Sequence, residues 1–495
     1  MSFFFDWYKR HEGSPVVASI GYWVWDLLSY LQRDPSMLIT DSEDGFPVRV
    51  AFICDQMTYD TFSPLCQAAY ITPYNWKQTM DEFKPQLFFC ESAWSGISCF
   101  PDCWRGRIYR KRNVVFEQRR HLLKILSYCR ENNIPTVFWN KEDSPNNRDS
   151  RFDFKDTALK FDYVFTTAQE CVPSYLEKGA PNVDVMEFAF SPRLYNPLHS
   201  KSMEEKAFFA GSWYSYRAWR CKDTMELLRQ MKERDIPCTI YDRNSGTNNP
   251  ENRYPQDLQV IIKPGVKYTE LPEVSKDYLY ALNINSVKDS KTMFARRVYE
   301  MMAQNHVIIS NASVGLREQF PGRIGFGGEE WDAQVLKRGR RENLRTVFVR
   351  HTMKRRFSQL LDKVGLKQAD NSNVWILCPD QAKADKLTNL PDYCNVMVCP
   401  RESAAARLQS EDCSFSNRDK FVLVQDEDLV NICDWEFAMS QFEFLPQACG
   451  VRCGDATLKE DSYCILEDAI NTDCIFPASM LADVIQFSTC VKYVF

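Results

Sequence analysis

Short runs of β-branched and aromatic residues, each followed by a helical stretch, recur along this chain, and the rhythm begins again after a polar break. The first set is RVAFICD (49–55), QLFFCE (86–91), PTVFWN (135–140), YVFT (163–166) and VDVMEF (183–188). Continuous apolar runs of this kind suit strands buried on both faces of a parallel sheet, with helices as the crossovers. Between them lie one-sided apolar patterns such as residues 115–132, which predict a helix. Residues 196–205 turn polar (NPLHSKSMEE), and the pattern restarts with KAFFAG (206–211), PCTIY (237–241), QVII (259–262), YLYALN (278–283) and VIIS (307–310). A basic helix over 347–366 then precedes NVWILC (373–378), NVMVC (395–399) and KFVLVQ (420–425). The expected fold class is α/β: two Rossmann-like doubly wound domains plus a small α/β C-terminal module. The expected boundaries are a helical lead-in over 1–40, a first Rossmann-like domain over 41–203, a second over 204–345, and an accessory module over 346–495.

Composition narrows the partners. A net charge of −5 argues against general nucleic-acid binding, which favours basic surfaces. Two local basic runs, RGRIYRKR (105–112) and KRGRRENLR (337–345), read first as solvated helix faces. The most apolar stretch, 16–31, is too short to span a bilayer, contains Asp26, and reads as an amphipathic helix. In the N-terminal MSFFFDWYKRHEG the charges follow the apolar residues, the reverse of a secretory signal. With no such signal, the 19 cysteines read as buried free thiols of a cytoplasmic protein. No two of the five histidines have ligand spacing, and no structural metal is expected.

The chemistry-bearing residues gather at strand ends. NINSVKDSKTMFARRVYE (283–300) runs from a strand through a Ser/Thr turn into a helix opening with Arg296 and Arg297, with Glu300 one turn on. A helix start and two guanidinium groups suit phosphates, and a carboxylate suits ribose hydroxyls. An ordinary αβ unit would explain the hydrophobic pattern but not the bunching of those three charges. Asn285, Ser290, Thr292 and Met293 lie in the same turn. Gly211 and Ser212 end another strand, and Arg217 and Arg220 follow within reach of a diphosphate or as surface charges. Tyr241, Asp242 and Arg243 leave a third strand into a loop that suits a base or ribose, although turn chemistry alone favours the same residue types. Lys263 adds a cation at a fourth.

In the first domain, PTVFW empties into Asn140, Lys141, Glu142 and Asp143. Either acid could serve as general base toward an acceptor hydroxyl, and either could equally cap the next helix. Glu91 and Trp94, after another strand, pair a carboxylate with an aromatic face as sugar sites do, and Trp94 would serve as well in a core.

Taken in order, FICDQMTYDTF, ITPYNW, ESAW, IPTVFWNKED, FDYVFTT, FFAGSWY, IYDRN, LNINSVKDSKTMFARRVYE and VIISN resemble the CgeB-type (spore maturation protein) glycosyltransferases over about residues 45–325. The resemblance implies the GT-B architecture, with a nucleotide-sugar donor held by the second domain and an acceptor met by the first. It implies that Glu300 binds the donor ribose and that Ser290, Thr292 and Met293 form the turn beside the phosphates. Relatives often carry a second glutamate eight positions before Glu300, where this chain has Thr292. The donor implied is a nucleoside diphosphate sugar, UDP being the commonest, and the acceptor a glycan or other surface polymer, with no metal required in the main site. QDEDLV (425–430) in the last module resembles the aspartate motif of a shortened GT-A fold, which would place Mg²⁺ or Mn²⁺ on Asp426 and Asp428. Two rival readings follow: a second, metal-dependent transferase site there, or a catalytically silent sugar- or nucleotide-binding scaffold.

Overall fold

The computed structural model describes residues 14–31, 33–42, 45–111, 114–143, 152–198, 203–247, 249–255, 258–366, 373–399, 419–424, 430–431, 433–444, 449–452, 464–469, 474–477 and 489–494. Three sheets organise them.

The lead-in helix α1 (Pro15–Leu31) is followed by β1 (Leu38–Thr40), β2 (Phe46–Ile53), α2 (Gln56–Phe62), β3 (Cys66–Tyr70), α3 (Trp76–Phe83) and β4 (Leu87–Glu91). Next come α4 (Arg120–Glu131), β5 (Thr136–Asn140), α5 (Phe154–Ala158), β6 (Tyr163–Thr166), α6 (Val172–Leu176) and β7 (Val183–Val185). The sheet order is β1-β3-β2-β4-β5-β6-β7, with only β1 antiparallel. β4 and β5 are buried along their whole length, which is why their sequences read as unbroken apolar runs. The helix expected from residue 115 begins only at Arg120.

The second lobe contains β8 (Glu204–Gly211), α7 (Ala218–Glu233), β9 (Cys238–Asp242), β10 (Ile261–Pro264), α8 (Leu271–Ser275), β11 (Tyr278–Asn283), α9 (Arg297–Ala303), β12 (Val307–Ser310), α10 (Val314–Gln319) and β13 (Gly325–Phe326). Its sheet is wholly parallel in the order β10-β9-β8-β11-β12-β13, the Rossmann order. The chain therefore has an α/β fold with two Rossmann-like doubly wound lobes.

The basic stretch expected as one helix over 347–366 is two, α11 (Ala333–Arg350) and α12 (Met353–Val364). The break has a cause. Phe190 N donates to His351 O (3.2 Å) and Met353 N to Phe190 O (2.9 Å), so residues 351–353 pair with the segment that leaves the first lobe. Thr352 Oγ1 then caps α12 by accepting from Arg355 N. From there α12 returns to the first lobe, where Met353, Phe357, Leu360 and Leu361 join its core. The boundary expected at 345/346 thus falls inside α11. The two crossings between the lobes are hydrogen-bonded side by side.

The third sheet is mixed, in the order β15-β14-β16-β19-β17-β20-β18. It comprises β14 (Val374–Cys378), β15 (Cys394–Val398), β16 (Lys420–Leu423), β17 (Cys449–Arg452), β18 (Cys464–Ala469), β19 (Cys474–Pro477) and β20 (Thr489–Val494), with helices α13 (Gln381–Ala384) and α14 (Trp435–Gln441). Val374, Ile376, Val422 and Phe437 share a core with Phe190, Val347 and Phe348, so this module packs on the second lobe's side of the crossing. Among the described residues, no helix is long and apolar enough to cross a membrane.

Phe357, fully buried against Phe46 and Phe62 (ring centroids 5.5 Å from each), anchors α12. Phe357→Ala is expected to cost about 3–5 kcal/mol, read as a lower urea midpoint, and a loss below 1 kcal/mol would contradict the packing described.

Candidate active site

Parallel sheets bind ligands outside the carboxyl ends of their strands, where the winding reverses. In the second lobe that point lies between β8 and β11, and in the first between β2 and β4. Three of the four strand ends hold groups singled out in the sequence, and the fourth, at β2, holds Asp55.

At the second lobe's reversal, α9 begins with Arg296 as its N-cap and Arg297 as its first residue. Arg296 Nε pairs with Glu300 Oε1 at 2.8 Å, four residues on, with both side chains largely buried. Tyr268 OH donates to the same oxygen at 3.2 Å, and the Arg296 guanidinium lies 5.0 Å from the centre of the Tyr268 ring. Glu300 Oε1 is therefore held from two sides, while Oε2 has no partner among the described residues. That leaves one fixed acceptor atom, a suitable mate for a diol.

Arg297 turns the other way and donates to Ala210 O, at the end of β8. Burial, and after it the charge of Arg243, brings its pKa down to about 10, with Arg220 adding to the shift. It stays protonated at neutral pH. Arg220 is lowered too, by burial first and then by Arg217 and Arg243. Four guanidinium groups thus crowd one strand edge, and among the described residues no carboxylate forms an ion pair with Arg217, Arg220, Arg243 or Arg297. Arg220 Nε and Tyr254 OH are buried there without hydrogen-bond partners among the described residues. Unmatched donors in a field of like charge are costly alone, and a polyanion would relieve them.

The Ser/Thr turn does something else. Ser290 Oγ accepts from Met293 N (2.9 Å) and donates to Glu170 Oε2 (2.9 Å), while Lys291 N donates to Glu170 Oε1 (2.7 Å). Thr292 Oγ1 donates to Thr167 O and accepts from Gln169 N. Met293 packs against the first lobe's core. The turn is docked on the opposite lobe, with a carboxylate lying on its donors. Asn285 holds its base: its Oδ1 accepts from Asn283 Nδ2 and Ala295 N, and its own backbone N–H donates to Asn311 Oδ1.

In the first lobe, Asp55 after β2 accepts from the backbone N–H groups of Trp94, Ser95 and Gly96 at 2.8 to 2.9 Å, and so shapes the loop after β4. Glu91 is fully buried; it accepts from Asp55 N (2.7 Å) and Thr58 Oγ1, and pairs with Lys141 Nζ at 2.6 Å. Burial pushes its carboxyl up. Its charge is felt by Arg296 of the second lobe, after the nearer Glu300, Tyr268 and Tyr195. Nearer solvent, the half-exposed Trp94 donates from Nε1 to Glu142 Oε1 at 3.0 Å. Asp143 accepts from Asn140 Nδ2 and Tyr175 OH, each at 2.8 Å, and burial raises its pKa to about 6.

No family model and no curated protein matches the chain. Among solved structures, TarM is similar at 9% identity over 59% of this chain, with a TM-score of 0.37; the match spans 58% of the length of TarM. HepE of Anabaena in complex with UDP-glucose is similar at 12% identity over 64% of this chain and 99% of its own, with a TM-score of 0.40. The lipopolysaccharide outer core galactosyltransferase WaaB is similar at 12% identity over the same shares, with a TM-score of 0.37. Likeness this loose carries no function from those proteins to this one.

The structure brings Arg217, Arg243, Arg296, Arg297 and Glu300 together, and it places several other residues differently from the sequence reading. A Cβ on Gly211 would meet Cζ of the Phe209 ring at 2.5 Å, so the glycine makes room for a ring of its own strand rather than for a ligand. That ring in turn lies 5.7 Å beneath the Arg297 guanidinium. Ser212 is buried. Tyr241 is a core residue whose OH lies 3.0 Å from that of Tyr278, with Lys263 exposed over its ring. Asp242 accepts from Asn244 N and closes its own turn. Lys141 is committed to Glu91. Asp426 and Asp428 lie outside the described residues, and among those described no group of acidic, His or Cys side chains could hold a metal ion.

Sequence reading missed Asp55, Glu170, Tyr254 and Tyr268. Asp55 does follow a predicted strand and could have been found by the rule that exposed the others. Tyr254 and Tyr268 lie in loops with no periodicity to mark them.

A carboxyl raised to about 6 contributes stability below pH 4 that is lost as pH rises through 6. Unfolding free energies of wild type and Asp143→Asn, measured in urea across pH 3.5–7, are expected to diverge in favour of the variant by on the order of 2–3 kcal/mol over that window. A pH-independent difference would contradict the burial of a titrating Asp143.

Proposed function

We propose that this protein is a glycosyltransferase that moves a sugar from a nucleoside diphosphate donor, UDP being the commonest, to a hydroxyl of a glycan or other surface-polymer acceptor. The carrying observation is the cluster of Arg220, Arg243 and Arg297, without an ion-pair partner among the described residues and with the buried donors Arg220 Nε and Tyr254 OH unmatched there, beside a half-occupied Glu300 at the winding reversal. A diphosphate satisfies the first and a ribose diol the second, at adjoining positions. No isolated phosphate or carboxylate ligand would use both.

In this reading the acceptor oxygen bonds to the anomeric carbon as the bond from that carbon to the phosphate oxygen breaks. The guanidinium groups stabilise the charge gathering on the departing diphosphate: Arg297 is fixed on the carbonyl of Ala210, Arg220 is half-buried beside it, and Arg243 reaches in from the rim. Arg296 and Tyr268 position Glu300 rather than touch the phosphates. On the first lobe, Trp94, partly exposed on a cluster of Tyr109, Phe152 and Phe154, with Glu142 held at its edge, would meet a sugar ring and its hydroxyls. If configuration inverts, Glu142 takes the acceptor proton, and Asp143, buried and tied to Asn140 and Tyr175, fixes the loop that carries it. If configuration is retained, a donor phosphate oxygen takes the proton. The glutamate usual at position 292 is a threonine here, and its hydroxyl is spent on the opposite lobe. The sugar hydroxyls would therefore be held by other groups.

A panel of nucleotide sugars assayed for released nucleoside diphosphate, with thermal shifts for each free nucleotide, tests this. One nucleoside diphosphate is expected to raise the melting temperature, and Glu300→Ala to abolish that shift. Transfer is expected to fall about 100-fold or more in Arg297→Met, from the loss of one charged donor to the leaving group. Nucleotide binding without turnover of any donor would favour the scaffold reading.

A further inference from the structure

Helix α1 touches the first lobe by one face only. Asp26 pairs with Arg107 at 2.7 Å and with Arg120, Tyr22 OH donates to Gln118 O, and Trp25 lies 4.5 Å from the Arg107 guanidinium. Asp26 is the one charged residue in the helix, and it points inward. The other face is largely uncovered by the described residues, and only at its end does Tyr30 meet Tyr74 of the first lobe edge-on, ring centroids 6.3 Å apart. Val16, Ile20, Trp23, Leu27, Tyr30 and Leu31 are each 45–70% exposed. From Val16 to Tyr30 they are spaced by four, three, four and three residues, the a/d seam of a helix that packs on another helix. Val115 and Phe116 widen the patch: Val115 N donates to Ser19 Oγ, and the Phe116 ring lies 5.6 Å from that of Tyr22.

We propose that this seam is the surface by which two copies of the chain associate, α1 against α1 about a two-fold axis. Two features favour a second copy over a lipid surface. Helices that lie in a bilayer interface carry basic residues along their polar face, and α1 contains none. The eight exposed side chains also offer on the order of 800 Å², beyond the few hundred usual on a monomer and equal to one partner's share of a standard interface. From Val16 to Leu27 the seam is apolar, and Arg33 lies 4.1 Å from the centre of the Tyr30 ring only at its end, so the apolar part is self-complementary, as a two-fold contact requires.

Sedimentation equilibrium of the full chain over 1–50 μM (about the range of ordinary interface affinities) is the test, alongside the double variant Trp23→Glu, Leu27→Glu. Both positions are exposed, so the variant is expected to keep the wild-type circular dichroism, while its melting temperature loses the dependence on protein concentration that a dimer shows. Wild type should sediment as a dimer and the variant as a monomer, with the dissociation constant raised at least tenfold. A monomeric wild type overturns the proposal, as does a dimer that the variant leaves intact. A monomer that co-sediments with phosphatidylserine–phosphatidylcholine vesicles through the same two residues would also overturn it, in favour of a membrane.

Discussion

The Arg297 guanidinium is half-buried, held on the carbonyl of Ala210 and close enough to Arg220 and Arg243 for their charges to lower its pKa. A protein gains nothing in stability by gathering like charges at one strand end, two of them half-buried. The strand end has to be shaped for the gathering, with Gly211 clearing space for Phe209, and Phe209 lying beneath the guanidinium. Such an arrangement has a physical reason to exist only if an anion neutralises it, and its position at the winding reversal of a parallel sheet is where such a ligand enters.

The rest of the molecule holds a second lobe opposite that cluster. Three sets of contacts do so. Glu170 lies on the donors of Ser290 and Lys291, and the partly buried Met293 packs against the facing core. Deeper in, Glu187 accepts from Gln319 and Arg356, and Arg356 lies 2.7 Å from His351 Nδ1. Burial, with the Arg356 charge, keeps that histidine neutral by lowering its pKa far below the usual range. Finally α12 returns from the second lobe into the core of the first. The turn at Ser290–Thr292 is thus shared between holding the lobes and facing the cleft, and a ligand that needed its N–H groups would have to displace a carboxylate.

The fold was legible because strands buried on both faces leave no polar alternation, so runs such as residues 86–91 and 135–140 announce a parallel sheet. Charged residues at the ends of such runs fall on one edge by topology alone, which is how Arg296, Arg297 and Glu300 could be placed before any coordinates. What sequence could not supply is direction. Glu91 and Trp94 are three residues apart, yet one is sealed in an ion pair with Lys141 and the other is half-exposed. Tyr241 and Arg243 leave the same strand, one into the core and one to the rim. The break at His351–Thr352 was hidden because it depends on pairing with Phe190, more than 150 residues away.

The central claim is that the cationic edge of the second lobe grips a diphosphate. Isothermal titration of wild type and an Arg220→Met, Arg297→Met double variant with inorganic pyrophosphate addresses it without assuming a donor, provided urea unfolding shows the variant folded. Each lost charged contact is worth about 1.5–3 kcal/mol, so binding should weaken by roughly two orders of magnitude or more. Equal affinity in the two proteins would contradict the account.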